Sequence, residues 1–154
     1  MAKSTKLSIT LHPDTHAKIE AKQDSFDGNF SGTVEKLLSR YLDLLQREQV
    51  ELNRMFAPNE KGLIVDALNG TGFLYPFSVQ MVCAEIEDAL SMDGLGKKWE
   101  IEEDVFLSKI NTLSNGQKHA LVDAVQAWWG AVGNGKEVQP EQLFNLPKSE
   151  VKND

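Results

Sequence analysis

The chain is poor in the residues that build disulfides and metal sites. Its 154 residues include one cysteine and three histidines. Cys83 has no second thiol with which to form an internal disulfide, and no cysteine or histidine stands at zinc-ligand spacing from it. We therefore expect Cys83 to be a small apolar residue of a helix, with no metal site and no cofactor in the protein.

Long apolar runs are also missing. No stretch approaches the roughly 18–20 residues that a membrane-spanning helix needs, and no N-terminal segment resembles a secretion signal. A cytoplasmic protein without a membrane partner is the expectation. The sequence also has neither a glycine-rich phosphate loop nor a set of nucleophile and base, so it predicts that the chain is not an enzyme.

The charge that is present is unevenly distributed. The net charge is −7, yet acidic and basic side chains are equal in number over residues 1–50. The remainder of the chain therefore carries the whole excess of negative charge. The first twelve residues contain Lys3 and Lys6 and no acid. The net charge argues against nucleic-acid binding over the whole surface, and any contact with DNA should be sought at the N-terminus.

The first third of the chain predicts one strand followed by two helices. Residues 6–11 alternate polar and apolar side chains, which is typical of a strand with one buried face. Pro13 opens a first helix over about residues 13–25. Ser31 is expected to cap a second helix, whose apolar residues recur at helical spacing from Val34 to Leu45 and which continues to about residue 56.

Beyond residue 57 the sequence predicts helices only. Asn59 is expected to cap a short helix, and Ser114 with Gln117 forms a capping box for the last long one. The helices are expected at about residues 59–68, 77–92, 102–113 and 114–131, with one turn at 140–144. Trp99, Trp128 and Trp129 are expected in the core. We divide the chain into an N-terminal module (residues 1–50), a helical domain of unassigned role (51–145) and a disordered tail (146–154).

A single strand requires a partner, because its backbone groups and its apolar face cannot be satisfied alone. No second strand is predicted, so a second copy of the chain is the simplest partner. Two such strands form an antiparallel ribbon that fits the major groove of DNA. The side chains expected under the helices are Leu7, Ile9 and Leu11, and those facing outward are Lys6, Ser8 and Thr10.

Residues 3–45 resemble the Arc/MetJ/CopG ribbon–helix–helix superfamily, and its CopG-like branch most closely. The resemblance rests on the strand at residues 6–11, on Pro13, and on Gly28, Phe30 and Ser31 before the second helix. It implies a mostly α fold with an N-terminal ribbon–helix–helix, followed here by an all-α domain. It also implies a homodimer that binds double-stranded DNA and represses transcription.

The resemblance assigns roles to individual residues. Base contacts are implied for Lys6, Ser8 and Thr10, and phosphate contacts for Lys3, Ser31, Gly32 and Thr33. The implied dimer core comprises Leu7, Ile9, Leu11, Phe30, Val34, Leu37, Leu38 and Tyr41. The N-terminus of a helix binds anions, which agrees with the implied phosphate site.

Two other functions fit the same residues. The chain could be the antitoxin of a toxin–antitoxin pair, although the C-terminal segments of such proteins are usually short and disordered, whereas this one predicts a folded domain. It could instead be a protein-interaction module that uses the fold only to dimerise, which the low basic content favours. Assembly beyond a dimer on DNA, and a protein partner for the C-terminal domain, are left open.

Overall fold

The chain is mostly α-helical, as predicted. A computed structural model describes residues 8–26, 28–68, 79 and 81–147, and these include seven α-helices and two short 3-10 helices. The predicted strand is not seen. Its described part, residues 8–11, belongs to no strand, and residues 6 and 7 lie outside the described residues. A strand is defined by hydrogen bonds to a neighbouring strand, and no other described segment of this chain provides one.

Two compact units make up the chain, Met1–Asp43 (unit 1) and Leu44–Asp154 (unit 2). The boundary between the units lies between Asp43 and Leu44, inside one helix. The sequence analysis placed it later, after residue 50. Residues 148–154 of the expected disordered tail lie outside the described residues. None of the described helices is both long and apolar enough to span a bilayer.

Unit 1 begins its helical part with α1, Pro13–Glu20. His12 precedes it, and the His12 Nδ1 accepts a hydrogen bond from the Asp14 N–H at 3.3 Å. The helix ends earlier than residue 25, so that expectation is corrected. The Lys22 N–H donates to the carbonyl of Ile19, three residues back, whereas an α-helix bonds to the fourth residue back. This tighter turn is followed by a 3-10 helix over Gln23–Ser25.

The second helix, α2, spans Phe30–Met55. Asn29 caps it: the Asn29 Oδ1 accepts from the Gly32 N–H at 2.6 Å. The expectation that Ser31 is the cap is therefore wrong, and Ser31 lies in the first turn. Asparagine caps a helix as well as serine does, and the positive φ of Gly28 (73°) turns the chain immediately before it.

Unit 2 contains the rest of α2 and five further helices. They are α3 (Pro58–Ala67), α4 (Met81–Asp93), α5 (Leu95–Lys98), α6 (Glu103–Asn111) and α7 (Asn115–Gly133), with a 3-10 turn at Pro140–Gln142. The predicted capping box is confirmed, because the Ser114 Oγ accepts from the Gln117 N–H at 3.1 Å and the Gln117 Oε1 accepts from the Ser114 N–H at 3.0 Å. The predicted start of α4 at residue 77 lies outside the described residues.

Two expectations for unit 2 are corrected. Asn59 does not cap α3, which begins one residue earlier; instead the Glu60 Oε2 accepts from the Ala57 N–H at 2.7 Å, and Asn59 donates to the Trp99 carbonyl at 3.1 Å. The α6 helix ends at Asn111 rather than at residue 113. The short helix α5 was not predicted, and it follows Gly94, whose φ of 63° ends α4.

The core of unit 2 is formed by apolar side chains from every one of its helices. Its fully enclosed members include Leu52, Leu63, Ile64, Ile86, Phe106, Ile110, Leu121 and Val125. The three tryptophans contact this core: Trp128 is buried, whereas Trp99 and Trp129 are half-buried. The prediction that they are core residues is thus correct for Trp128 and only partly so for the other two.

Gly62 allows a very close approach of Trp99 to α3. A Cβ at position 62 would lie 2.4 Å from two atoms of the indole ring. The ring is held from its other edge, because the Trp99 Nε1 donates to the Asp66 Oδ2 at 2.9 Å. Lys98 also pairs with Asp66, at 2.5 Å. The glycine is therefore a packing requirement of α3.

A partly buried polar cluster lies where α2 ends and α3 begins. The Lys109 Nζ donates to both carboxylate oxygens of Glu60, at 2.7 and 2.8 Å, and to the Met55 carbonyl at 3.2 Å. Beside it, the Lys61 Nζ donates to the Asn53 Oδ1 at 2.7 Å. Burial lowers the pKa of Lys61 below its usual value, and Glu141 opposes part of that shift.

Candidate functional site

Unit 1 exposes four of its large apolar side chains. The exposed fractions are 60% for Ile9, 55% for Leu38, 46% for Tyr41 and 61% for Leu42. Among the described hydrophobic residues of this unit, Phe26 alone is buried, at 6%. Leu38, Tyr41 and Leu42 stand three and four positions apart and so share one side of α2, which we call the apolar face. Such an exposed stripe is typical of a surface that binds another protein.

The predicted dimer core is only partly enclosed in the single chain. Ile9, Leu38 and Tyr41 are exposed. Leu7 lies outside the described residues. The remaining four are half-buried: Leu11, Phe30, Val34 and Leu37. These residues therefore retain apolar surface that a second copy could cover.

Inside unit 1, two ring contacts join α2 to the chain before it, one from α1 and one from the residue that follows the 3-10 helix. The His16 imidazole stacks on the Phe30 ring, with centroids 4.4 Å apart and planes inclined by 21°. The Arg40 guanidinium lies over the Phe26 ring, 4.6 Å from its centroid. The first contact packs α1 against α2, and the second packs Phe26 against α2, while the apolar face stays exposed.

The predicted phosphate site, at the start of α2, is partly occupied by the chain itself. Ser31 is exposed, but the Gly32 N–H is bound to the Asn29 side chain. Thr33 is fully buried, and both its N–H (3.1 Å) and its Oγ1 (2.7 Å) donate to the Asn29 carbonyl. A phosphate that bound here would contact Ser31 directly, and it would reach the Gly32 N–H only if the Asn29 side chain turned away.

The predicted base-contacting residues are described only in part. Ser8 and Thr10 are exposed and stand in the segment before α1, which has no regular secondary structure. Lys3 and Lys6 lie outside the described residues. Acidic and basic side chains are equal in number in unit 1, so the unit has no net charge. An excess of positive charge, which would attract DNA wherever it lay on the unit, is therefore not present in unit 1.

Sequence reasoning missed two residues of this surface. The cap of α2 is Asn29 and not the predicted Ser31, although the side-chain oxygen of Asn29 makes it an equally good candidate for a helix cap. Leu42 was included in the helical pattern but not in the dimer core, although it follows Leu38 by four positions and is the more exposed of the two. The described residues contain no group of three or more side chains that could hold a metal ion.

No protein-family model, no curated protein and no solved structure that we compared with the chain matches it. The likeness to ribbon–helix–helix proteins therefore rests on the short motifs of residues 3–45 alone.

Proposed function

We propose that the chain is a homodimeric DNA-binding protein of the ribbon–helix–helix type that represses transcription. Its N-terminal segments pair across a two-fold axis, and the ribbon enters the major groove with Lys6, Ser8 and Thr10 toward the bases. The observation that carries the proposal is the apolar face of unit 1, because it leaves uncovered those side chains that the ribbon–helix–helix dimer would bury.

The energy available from that burial supports a dimer. Covering a large apolar side chain completely contributes about 1.5–3 kcal/mol. The four exposed side chains of each protomer are already partly covered, so each would contribute about 1 kcal/mol on association. Eight such contributions per dimer sum to about 8 kcal/mol, against an association cost of about 4–15 kcal/mol. Burial of these four side chains therefore offsets much of that cost, and the half-buried core residues and the hydrogen bonds of the ribbon must supply the rest. Among the described residues of unit 1, Phe26 is the one buried apolar side chain, so dimerisation would give this unit most of its apolar core.

The DNA part of the proposal is tested by a mobility-shift titration. The purified chain is titrated against its own upstream DNA and a scrambled control, at two salt concentrations. We expect a shift that prefers the upstream DNA and weakens with salt. Lys6→Ala and Thr10→Ala should each weaken specific binding by about 1–3 kcal/mol. Unchanged affinity in both variants would contradict the assignment of the ribbon to the groove.

The dimer is tested separately by analytical ultracentrifugation. Leu42→Glu places a charge on the apolar face and should convert the dimer to a monomer. Arg47→Gln is the matched control, since it changes the net charge by the same amount at an exposed position on the opposite side of the same helix. Dissociation by both variants, or by neither, would contradict a dimer formed through this face.

A protein-interaction module that uses the fold only to dimerise is the second candidate. The absence of net positive charge on unit 1 and the occupied Gly32 N–H favour it. The same two experiments separate the candidates. A dimer that shifts no DNA at either salt concentration indicates the interaction module, whereas a monomer would exclude both.

A further inference from the structure

A cleft of about 360 Å³ opens on unit 2. It lies between the second half of α2, the middle of α7 and the chain that follows the last 3-10 turn. Pockets that bind small molecules enclose about 300–1,000 Å³, so this cleft has room for a small ligand only.

One wall of the cleft offers hydrogen-bond acceptors. The Gln49 Nε2 donates to the Asp123 Oδ2 at 2.9 Å and to the Ala120 carbonyl at 3.4 Å. Both partners are acceptors, so the amide nitrogen must face them and uses both its hydrogens there. What Gln49 leaves for a ligand is its carbonyl oxygen. The Asp123 carboxylate can likewise only accept.

The charge of the wall is not balanced by protein groups. Among the described residues, Asp123 makes no ion pair, and its side chain is exposed. The other two polar residues of the lining, Gln46 and Asn145, carry neutral amides. Unit 2 also holds the whole net charge of −7. The cleft therefore favours a ligand that is both a hydrogen-bond donor and a cation.

The rest of the lining is apolar. Leu143 and Phe144, 1% and 8% exposed, form the floor, and Val50, which is 46% exposed, stands at the rim. An apolar group of the ligand would cover Val50 and remove its surface from water. The combination of a carboxylate wall and an apolar floor selects a molecule with a charged end and an apolar end.

We propose that this cleft binds a small organic cation, namely a primary ammonium joined to a short apolar group. The ammonium donates to the Asp123 carboxylate and to the Gln49 carbonyl oxygen, and the apolar group packs against Val50, Leu143 and Phe144. The residues of the site all belong to unit 2, so a test of ligand binding to the cleft does not depend on whether the chain binds DNA.

The test uses phenethylamine as the probe, in an NMR titration of the uniformly labelled full chain. Two compounds of the same shape are the controls: phenethyl alcohol, which is neutral, and hydrocinnamate, which is an anion. We expect phenethylamine to cause saturable shifts of the backbone amides of Asp123, Ala124 and Leu143, with a dissociation constant of about 1–10 millimolar. The alcohol should bind more weakly and the anion most weakly.

The Asp123→Asn variant tests whether the negative charge of the cleft wall, rather than the shape of the cleft, causes binding. The asparagine oxygen can still accept from Gln49, so the wall stays in place while its charge is lost. We expect about fivefold weaker binding of phenethylamine, and no remaining preference for the amine over the alcohol. Asp88→Asn removes an exposed acid of α4 outside the cleft and should leave binding unchanged.

Three results would overturn the proposal. They are shifts that do not saturate, equal binding of hydrocinnamate and phenethylamine, and an Asp123→Asn variant that binds the amine as the original chain does. Equal weakening by Asp88→Asn would also count against it, since it would indicate a response to net charge rather than to the cleft.

Discussion

Replacing Gly62 with alanine should destabilise unit 2, although alanine is the better helix former. Alanine in place of glycine inside a helix contributes about 0.8–1.0 kcal/mol of stability. Against this, the new Cβ would stand 2.4 Å from the Trp99 ring, where ordinary contact begins at 3.4 Å. The ring must therefore retreat by about 1 Å, which costs about 1–3 kcal/mol in disturbed packing.

The retreat of the ring has a second cost, because the indole N–H is bound to the Asp66 carboxylate at 2.9 Å. A hydrogen bond to a charged group contributes about 1.5–3 kcal/mol. Losing part of it, together with the packing cost and less the helix gain, gives a net loss of about 1–4 kcal/mol in the free energy of unfolding.

Urea unfolding followed by tryptophan fluorescence measures this loss. All three tryptophans belong to unit 2, so the signal reports on that unit. Gly130→Ala is the matched control. Gly130 is an exposed residue within α7 and has nothing within 4 Å of the added Cβ, so it should instead stabilise unit 2 by about 0.8–1.0 kcal/mol.

Removing the Trp99 ring should change the effect of Gly62→Ala. In a Trp99→Leu background the ring is gone, so Gly62→Ala should be neutral or stabilising, with a coupling of about 2 kcal/mol or more between the two positions. A Gly62→Ala variant that is as stable as the original chain, or additive effects in the double variant, would refute the packing argument.

Three further outcomes follow from single side chains. Glu60→Gln should lower the free energy of unfolding of unit 2 by about 1–2 kcal/mol in urea unfolding, because the Lys109 ammonium loses its carboxylate partner in a largely buried place. The folded chain disfavours the charged form of Lys61, so the stability of the original chain should rise as the pH increases toward the ordinary pKa of 10.5, and this rise should be absent from Lys61→Met. Asn29→Asp should keep the helix cap and the circular dichroism spectrum, yet weaken DNA binding about fivefold in the mobility-shift titration, because it adds a negative charge beside the proposed phosphate site.

Each outcome has its own control. Glu51→Gln removes an exposed pair with Arg54 and should change stability by less than about 0.5 kcal/mol; an effect equal to that of Glu60→Gln would contradict the role of burial. For Lys61, a difference between the two chains that stays constant with pH would contradict the lowered pKa. For Asn29, unchanged DNA affinity would remove the start of α2 from the interface.

The sequence predicted the helices of unit 2 well where a local signal was strong. The Ser114–Gln117 capping box is such a signal, because both partners lie within one helical turn. The sequence-based prediction failed where two neighbouring residues were both suitable for the same role. Asn29 and Ser31 are both good caps, and only the turn at Gly28 decides between them. The α5 helix has four residues, too few to show a helical period.

The cleft could not have been predicted from the sequence. Gln49 and Asp123 are 74 positions apart, and no pattern indicates that they meet. In the sequence, nothing distinguishes Asp123 from the other acidic residues expected on the exposed faces of helices. The apolar face of unit 1 is the opposite case, since the spacing of Leu38, Tyr41 and Leu42 is visible in the sequence and only their exposure needed a structure.

The placement of the unit boundary within α2 has a practical consequence for limited proteolysis. Domains are usually joined by exposed linkers, and proteases cleave such linkers first. Here the chain passes from Asp43 to Leu44 inside a helix that runs from Phe30 to Met55. A protease should therefore find no preferred site at this boundary. A fragment intended to isolate unit 1 would have to end within that helix, and one that ends at Asp43 would remove the hydrogen-bond partners of its last turn.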